Sequence, residues 1–136
     1  MRLKELIREL IALERELYSL YKLGETFATY EKPSFIETFR ILAEESLRHA
    51  RTLEDLLGNA GPGPYVDGTA LTHPKNRPED LQELIEEALL TEEGLYQAYL
   101  RLSRELEGAL AGIFRMMAGE ALRHGYRLKL IYEALG

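Results

Sequence analysis

Six ionisable side chains recur in this chain at matched spacings. Around one histidine the sequence reads Ala43-Glu44-Glu45-Ser46-Leu47-Arg48-His49-Ala50, and around another Ala118-Gly119-Glu120-Ala121-Leu122-Arg123-His124-Gly125. Upstream of each lies a further matched stretch, Glu14-x-x-Leu17-Tyr18-x-x-Tyr21 and Glu92-x-x-Leu95-Tyr96-x-x-Tyr99. A core that merely repeats needs apolar residues only, so register among Glu, Tyr and His points to chemistry. Carboxylate oxygen and imidazole nitrogen together suit iron, manganese or zinc. Two buried Glu–His⁺ pairs would satisfy the same four residues Glu14, His49, Glu92 and His124 without a metal, and the residues themselves leave both readings open. Glu45 and Glu120 each precede a histidine by one helical turn, on the edge of its face. Facing inward, they would give the layer four carboxylates and two imidazoles, a set that neutralises two divalent ions; facing outward, they would be solvated flank residues like most helix glutamates.

Helices must position these groups. Apolar residues recur with a helical period in four segments, and no strand-like alternation occurs. The first runs from about Leu3 to about Ala28 and ends before Lys32-Pro33; the second opens at Ser34-x-x-Glu37, the spelling of a capping box. From Gly58 to about Pro78 the chain turns to Gly, Pro, Asn, Asp and Thr and loses its period. The third segment begins near Pro78, Gly108 reads as its stop, and the fourth carries Leu110 to Leu135. The expectation is one all-α domain over 1–136. It is a four-helix bundle of two helical hairpins, about 1–57 and 79–136, joined by the long crossover 58–78 and related by an approximate internal two-fold. Counted from turns near Glu31 and Glu107, at about 1.5 Å per residue, each Glu lies within a few ångström of the level of its hairpin's His.

The bulk composition narrows the function classes. A chain of 136 residues, 46% hydrophobic, suffices for one well-buried core. Its net charge of −6, with both signs interleaved, offers no basic stripe for nucleic acid. No apolar run approaches a membrane span, so a soluble, cytoplasmic protein is expected. The absence of cysteine removes disulfides and thiolate metal sites. Abundant Glu, Leu and Arg with scarce Asn and Gln match a thermophilic source.

With its helix count and long crossover, the twofold pattern Glu-x-x-Leu-x-x-x-Tyr then Ala-x-Glu-x-x-x-His resembles the ferritin-like superfamily, the rubrerythrin-type members most closely, over essentially the whole chain. The resemblance implies a di-iron or related two-metal site at mid-bundle. In that family the site takes one Glu from each of the first and third helices and a Glu-x-x-His pair from each of the other two. Glu14 and Glu92 match the lone glutamates, His49 and His124 the histidines, and Tyr21 and Tyr99 the tyrosines that hydrogen-bond ligand carboxylates. The glutamate three residues before each histidine falls at Ser46 and Ala121, so Glu-x-x-His is altered in both halves. Glu45 and Glu120 offer substitutes from the adjacent position, and the small residues leave room for water or a small ligand. Without cysteines there is no rubredoxin-type electron-donating segment, so the resemblance implies an external electron donor.

The resulting expectation is a non-haem metal protein holding one or two Fe, Mn or Zn ions at Glu14, Glu45, His49, Glu92, Glu120 and His124. The chemistry implied by the resemblance is oxidation of ferrous ions or reduction of peroxide or dioxygen. The alternative is a metal-free, degenerate ferritin-like bundle with a structural or protein-interaction role. A homo-oligomer, most simply a dimer, is expected from an apolar outer face. Tyr18, Tyr96, Tyr126 and Tyr132 read as core or rim packing, Met116 and Met117 as core filling, and His73 as an exposed loop histidine. Arg48 and Arg123 read as solvated residues whose matched placement also suits support of the site.

Overall fold

The computed structural model describes residues 1–59, 61–68, 71–74 and 77–136. Among these the only extended helices are α1 (Leu3–Glu31), α2 (Ile36–Asn59), α3 (Leu81–Glu105) and α4 (Gly108–Leu135). They pack as two hairpins, α1 with α2 and α3 with α4, and the hairpins meet chiefly through α1 and α3. This is an all-α four-helix bundle.

Each helix buries a stripe with a period of three to four residues. On α1 it runs Leu3, Leu6, Ile7, Leu10, Leu13, Glu14, Leu17, Leu20 and Tyr21; on α3 it runs Leu81, Leu84, Ile85, Ala88, Thr91, Glu92, Leu95, Ala98, Tyr99 and Leu102. The apolar residues among these, with Phe39, Leu42 and Leu53 of α2 and Phe114, Met117 and Leu128 of α4, form one continuous core. Where α1 crosses α2, Gly24 lies against the Phe39 ring; a Cβ there would fall 2.5 Å from Phe39 Cδ1. Only a residue without a side chain permits that approach.

Several boundaries differ from the sequence reading. The Ser34-x-x-Glu37 box does not cap α2: a 3-10 turn over Pro33–Phe35 leads into the helix, and Glu37 pairs with Arg40 instead. Proline at the head of this turn has its φ already set and no N–H to satisfy. α3 starts at Leu81 rather than near Pro78, because Asp80 is its N-cap and accepts from Glu83 N at 2.9 Å. Gly108 opens α4 with φ +66° instead of stopping α3, which ends at Glu105 with Leu106 as its C-cap. Met117 is in the core, but Met116 is more than half exposed. Tyr18 and Tyr96 pack at the rim of the core, whereas Tyr126 and Tyr132 are exposed.

The start of the crossover is tied to the N-terminus. Leu3 N donates to Pro64 O at 2.9 Å, Val66 N donates to Met1 O at 2.9 Å, and the Arg2 guanidinium covers the Tyr65 ring. Val66 is thereby packed into the core. Residues 60, 69, 70, 75 and 76 of the expected crossover lie outside the described residues. His73 Nδ1 meets Glu16 Oε2 at 2.7 Å on the surface of α1. Among the described residues no helix is long and apolar enough to cross a membrane.

Candidate metal centre

The buried stripes of all four helices are interrupted at mid-bundle by polar residues. Glu14, His49, Glu92 and His124 are each 3% exposed or less. Within each hairpin the level estimated from the helical rise holds: Glu14 Oε2 is 3.1 Å from His49 Nδ1, and Glu92 Oε2 is 2.6 Å from His124 Nδ1. The tyrosines then cross between hairpins. Tyr99 of α3 donates its hydroxyl to Glu14 Oε2 on α1 at 2.7 Å, and Tyr21 of α1 donates to Glu92 Oε2 on α3 at 3.0 Å.

Glu45 and Glu120 face this layer rather than solvent, with side chains only 15% and 13% exposed. Their partners are not the histidines of their own helices. Glu45 Oε1 meets His124 Nε2 at 2.7 Å, and Glu120 Oε2 meets His49 Nε2 at 2.7 Å. The two imidazoles lie with centroids 5.8 Å apart and planes at 24°, so α2 and α4 exchange carboxylates across a stacked histidine pair. All six residues read from the sequence therefore converge on one layer.

Both nitrogens of both imidazoles touch a carboxylate, which makes the histidines cationic. Burial alone would lower the His49 pKa, but hydrogen bonds and charge from Glu14 and Glu120 outweigh it and raise the value to about 9. His124 is raised in the same way: burial opposes protonation, and Glu92 and Glu45 more than compensate. Glu92 is raised by burial, against the stabilising His124 contact, so one proton is held tightly between that pair. Burial also acts to raise Glu120, yet His49 and Arg48 together bring its pKa below the ordinary value. Tyr21 and Tyr99 are pushed well up by burial and by the adjacent carboxylates, and remain phenols that donate.

Support from the arginines is unequal. Arg48 and Arg123, matched in sequence, both reach Glu120 Oε1, at 2.5 and 3.4 Å. Among the described residues no arginine pairs with Glu45. The sequence reading also missed Thr91, fully buried beside Glu92, whose hydroxyl has no partner among the described residues. A threonine next to a glutamate on a helix carries no signal that would single it out.

Four carboxylates and two imidazoles are a donor set of the kind that holds iron or manganese. Three buried atoms at this level have no hydrogen-bond partner among the described residues, Glu14 Oε1, Ser46 Oγ and Thr91 Oγ1. An unmatched carboxylate oxygen at 1% exposure is a donor available to a cation. The geometry here is closed by protons: among the described residues no three Asp, Glu or His side chains are arranged around a common point to hold an ion. Each imidazole would have to release one of its two carboxylate partners to present a lone pair.

Comparison with known proteins gives one family match: the model of the family described as Rubrerythrin matches residues 5–132. Neither a curated protein nor a solved structure matches the chain. The match takes in α2 and α3 whole, most of α1 and α4, and every residue of the polar layer. The chain belongs to the rubrerythrin family.

Proposed function

We propose that this protein is a non-haem, di-metal iron protein, with Glu14, Glu45, His49, Glu92, Glu120 and His124 as the residues that would hold the ions. One observation carries the reading: two imidazoles, each bracketed by two carboxylates, share a single buried layer in a rubrerythrin-family bundle. With both imidazoles protonated the six groups sum to −2, and with both neutral to −4, the charge that two divalent ions cancel. Bound iron supplies a ferrous–ferric couple there, suited to oxidising ferrous ions or reducing peroxide or dioxygen with electrons from an external donor.

The chain's own residues would do the rest. Tyr99 and Tyr21 fix one oxygen of Glu14 and of Glu92, leaving the other oxygen of each carboxylate to bind. In a ligand histidine one ring nitrogen keeps its N–H on a carboxylate while the other gives up its proton. Nε2 of His49 is the nitrogen whose proton has a way out, through the partly exposed Glu120 carboxylate. Leucines above and below the layer on α1 and α3 exclude water along the bundle axis, which leaves the α3–α4 groove as the approach from solvent.

The test is thermal unfolding of chelator-treated protein with and without Fe²⁺ or Mn²⁺. Loading raises the melting temperature of the parent but not of His49→Ala with His124→Ala. Because that double variant strands buried carboxylates, Glu45→Gln with Glu120→Gln serves as the near-isosteric check. An equal metal-induced shift in parent and Gln variant would contradict the reading.

A further inference from the structure

The groove between α3 and α4 holds a cavity of about 470 Å³, within the range of small-molecule sites. Its walls are Leu89, Leu90, Tyr96, Leu122 and Tyr126. Its inner end is formed by the two most buried lining residues, Glu92 and Ala121, each 2% exposed. The cavity therefore runs from solvent to the buried polar layer, and it does so where alanine stands three residues before His124.

The equivalent groove between α1 and α2 is built differently. Arg15 and Glu54 pair across it. Their sequence counterparts in the second half are Glu93 and Lys129, with the charges exchanged, and both line the open cavity. Glu93 accepts from Gln97 at 3.2 Å, and the Lys129 ammonium sits over the Tyr126 ring at 5.9 Å. Among the described residues no ion pair bridges the second groove. Arg51, the counterpart of Tyr126, is charged where the cavity has an aromatic wall.

Leu90, Leu122 and Tyr126 are 63%, 42% and 61% exposed, so these apolar side chains contribute contact area without a partner. Two carboxylates without a cationic partner among the described residues, Glu86 and Glu93, against one ammonium, Lys129, disfavour an anion in the cavity. We infer that the α3–α4 cavity is a binding site for a small, neutral, hydrocarbon-like molecule, aromatic or aliphatic, whose inner end rests against the Glu92–Ala121 floor. Binding there requires no metal, so the site can fail or stand independently of the proposed metal centre.

The experiment titrates the full chain, chelator-treated, with two probes that share an aromatic framework. N-phenyl-1-naphthylamine is neutral, and 8-anilinonaphthalene-1-sulfonate carries a sulfonate. The neutral probe should show saturable fluorescence enhancement at one site per chain and bind more tightly than the anionic one. Gly125→Leu should weaken it at least about tenfold by filling the groove with apolar volume. A Cβ at Gly125 meets no atom within 4 Å, so the helix accepts the change, and Gly119→Leu, on α4 outside the cavity, should bind like the parent. Leu122→Glu, at a partly exposed wall position, should also weaken the neutral probe without disturbing the core. No saturable binding, tighter binding of the sulfonate, or undiminished binding by both cavity variants would overturn the inference. So would self-association in sedimentation velocity that competes with the probe, which would make the occupant a second copy of the chain.

Discussion

The hydroxyl of Tyr99 and the imidazole of His49 act on the same oxygen, Glu14 Oε2, and that oxygen shows how the layer tolerates its charge. Removing a buried donor from a charged acceptor costs roughly 2 kcal/mol. Tyr99→Phe should therefore lose about that much stability in urea unfolding of metal-free protein, whereas Tyr30→Phe, at a residue 84% exposed, should be neutral within about 0.5 kcal/mol. The pH dependence is set by the same groups. His49 faces Glu14 on α1 and Glu120 and His124 on α4, and its folded pKa of about 9 lies above the ordinary 6.5. A raised folded pKa stabilises fully below the unfolded value and loses that contribution as pH rises through the folded one. His124 shifts in the same direction. The melting temperature of metal-free protein should therefore fall between about pH 6.5 and 9; a flat profile there would show that the imidazoles are not held protonated. All six ionisable residues of this layer were readable from Glu, His and spacing. The exchange of Glu45 and Glu120 between hairpins was not, since helical spacing gives a direction around one helix and not the neighbour it meets.

Helix packing explains why some boundaries were legible and others were not. Stripes such as Leu3 to Tyr21 are dictated by burial and follow directly from the period. Helix starts depend on local competitors for the same backbone groups. Asp80 displaced Pro78 as the start of α3, and Pro33 placed a 3-10 turn where a Ser34 box was spelled. Met116 shares its neighbour's residue type but lies about 100° around α4, which exposes it. Asp80→Ala should lower stability by about 1 kcal/mol, the usual cost of an N-cap, seen as a lower urea midpoint with unchanged slope. Gly24→Ala tests the α1–α2 crossing. Helix propensity alone would favour alanine by about 1 kcal/mol. The 2.5 Å approach to the fully buried Phe39 ring reverses that sign, at a typical overpacking cost of about 1–3 kcal/mol. A stabilised Gly24→Ala would mean that the hairpin is looser than described.

At the scale of the whole molecule, the bundle brings two hairpins together so that each histidine receives one carboxylate from its own hairpin and one from the other. The four helices and the long crossover followed from periodicity and its interruption. The open α3–α4 cavity did not, because Arg15 and Glu54 meet across one groove while their counterparts Glu93 and Lys129 take other partners, a choice that helical spacing does not fix. Metal binding at this layer would exchange protons for ions, so loading should release about one proton per histidine, measurable in weakly buffered solution. Whether this layer holds a di-metal site is decided by elemental analysis of protein purified without chelators and then reloaded anaerobically with Fe²⁺. About two equivalents of iron per chain are expected, as a di-metal bundle requires, and their loss in His49→Ala with His124→Ala. Well under one equivalent of any transition metal, before and after loading, would contradict the di-metal site.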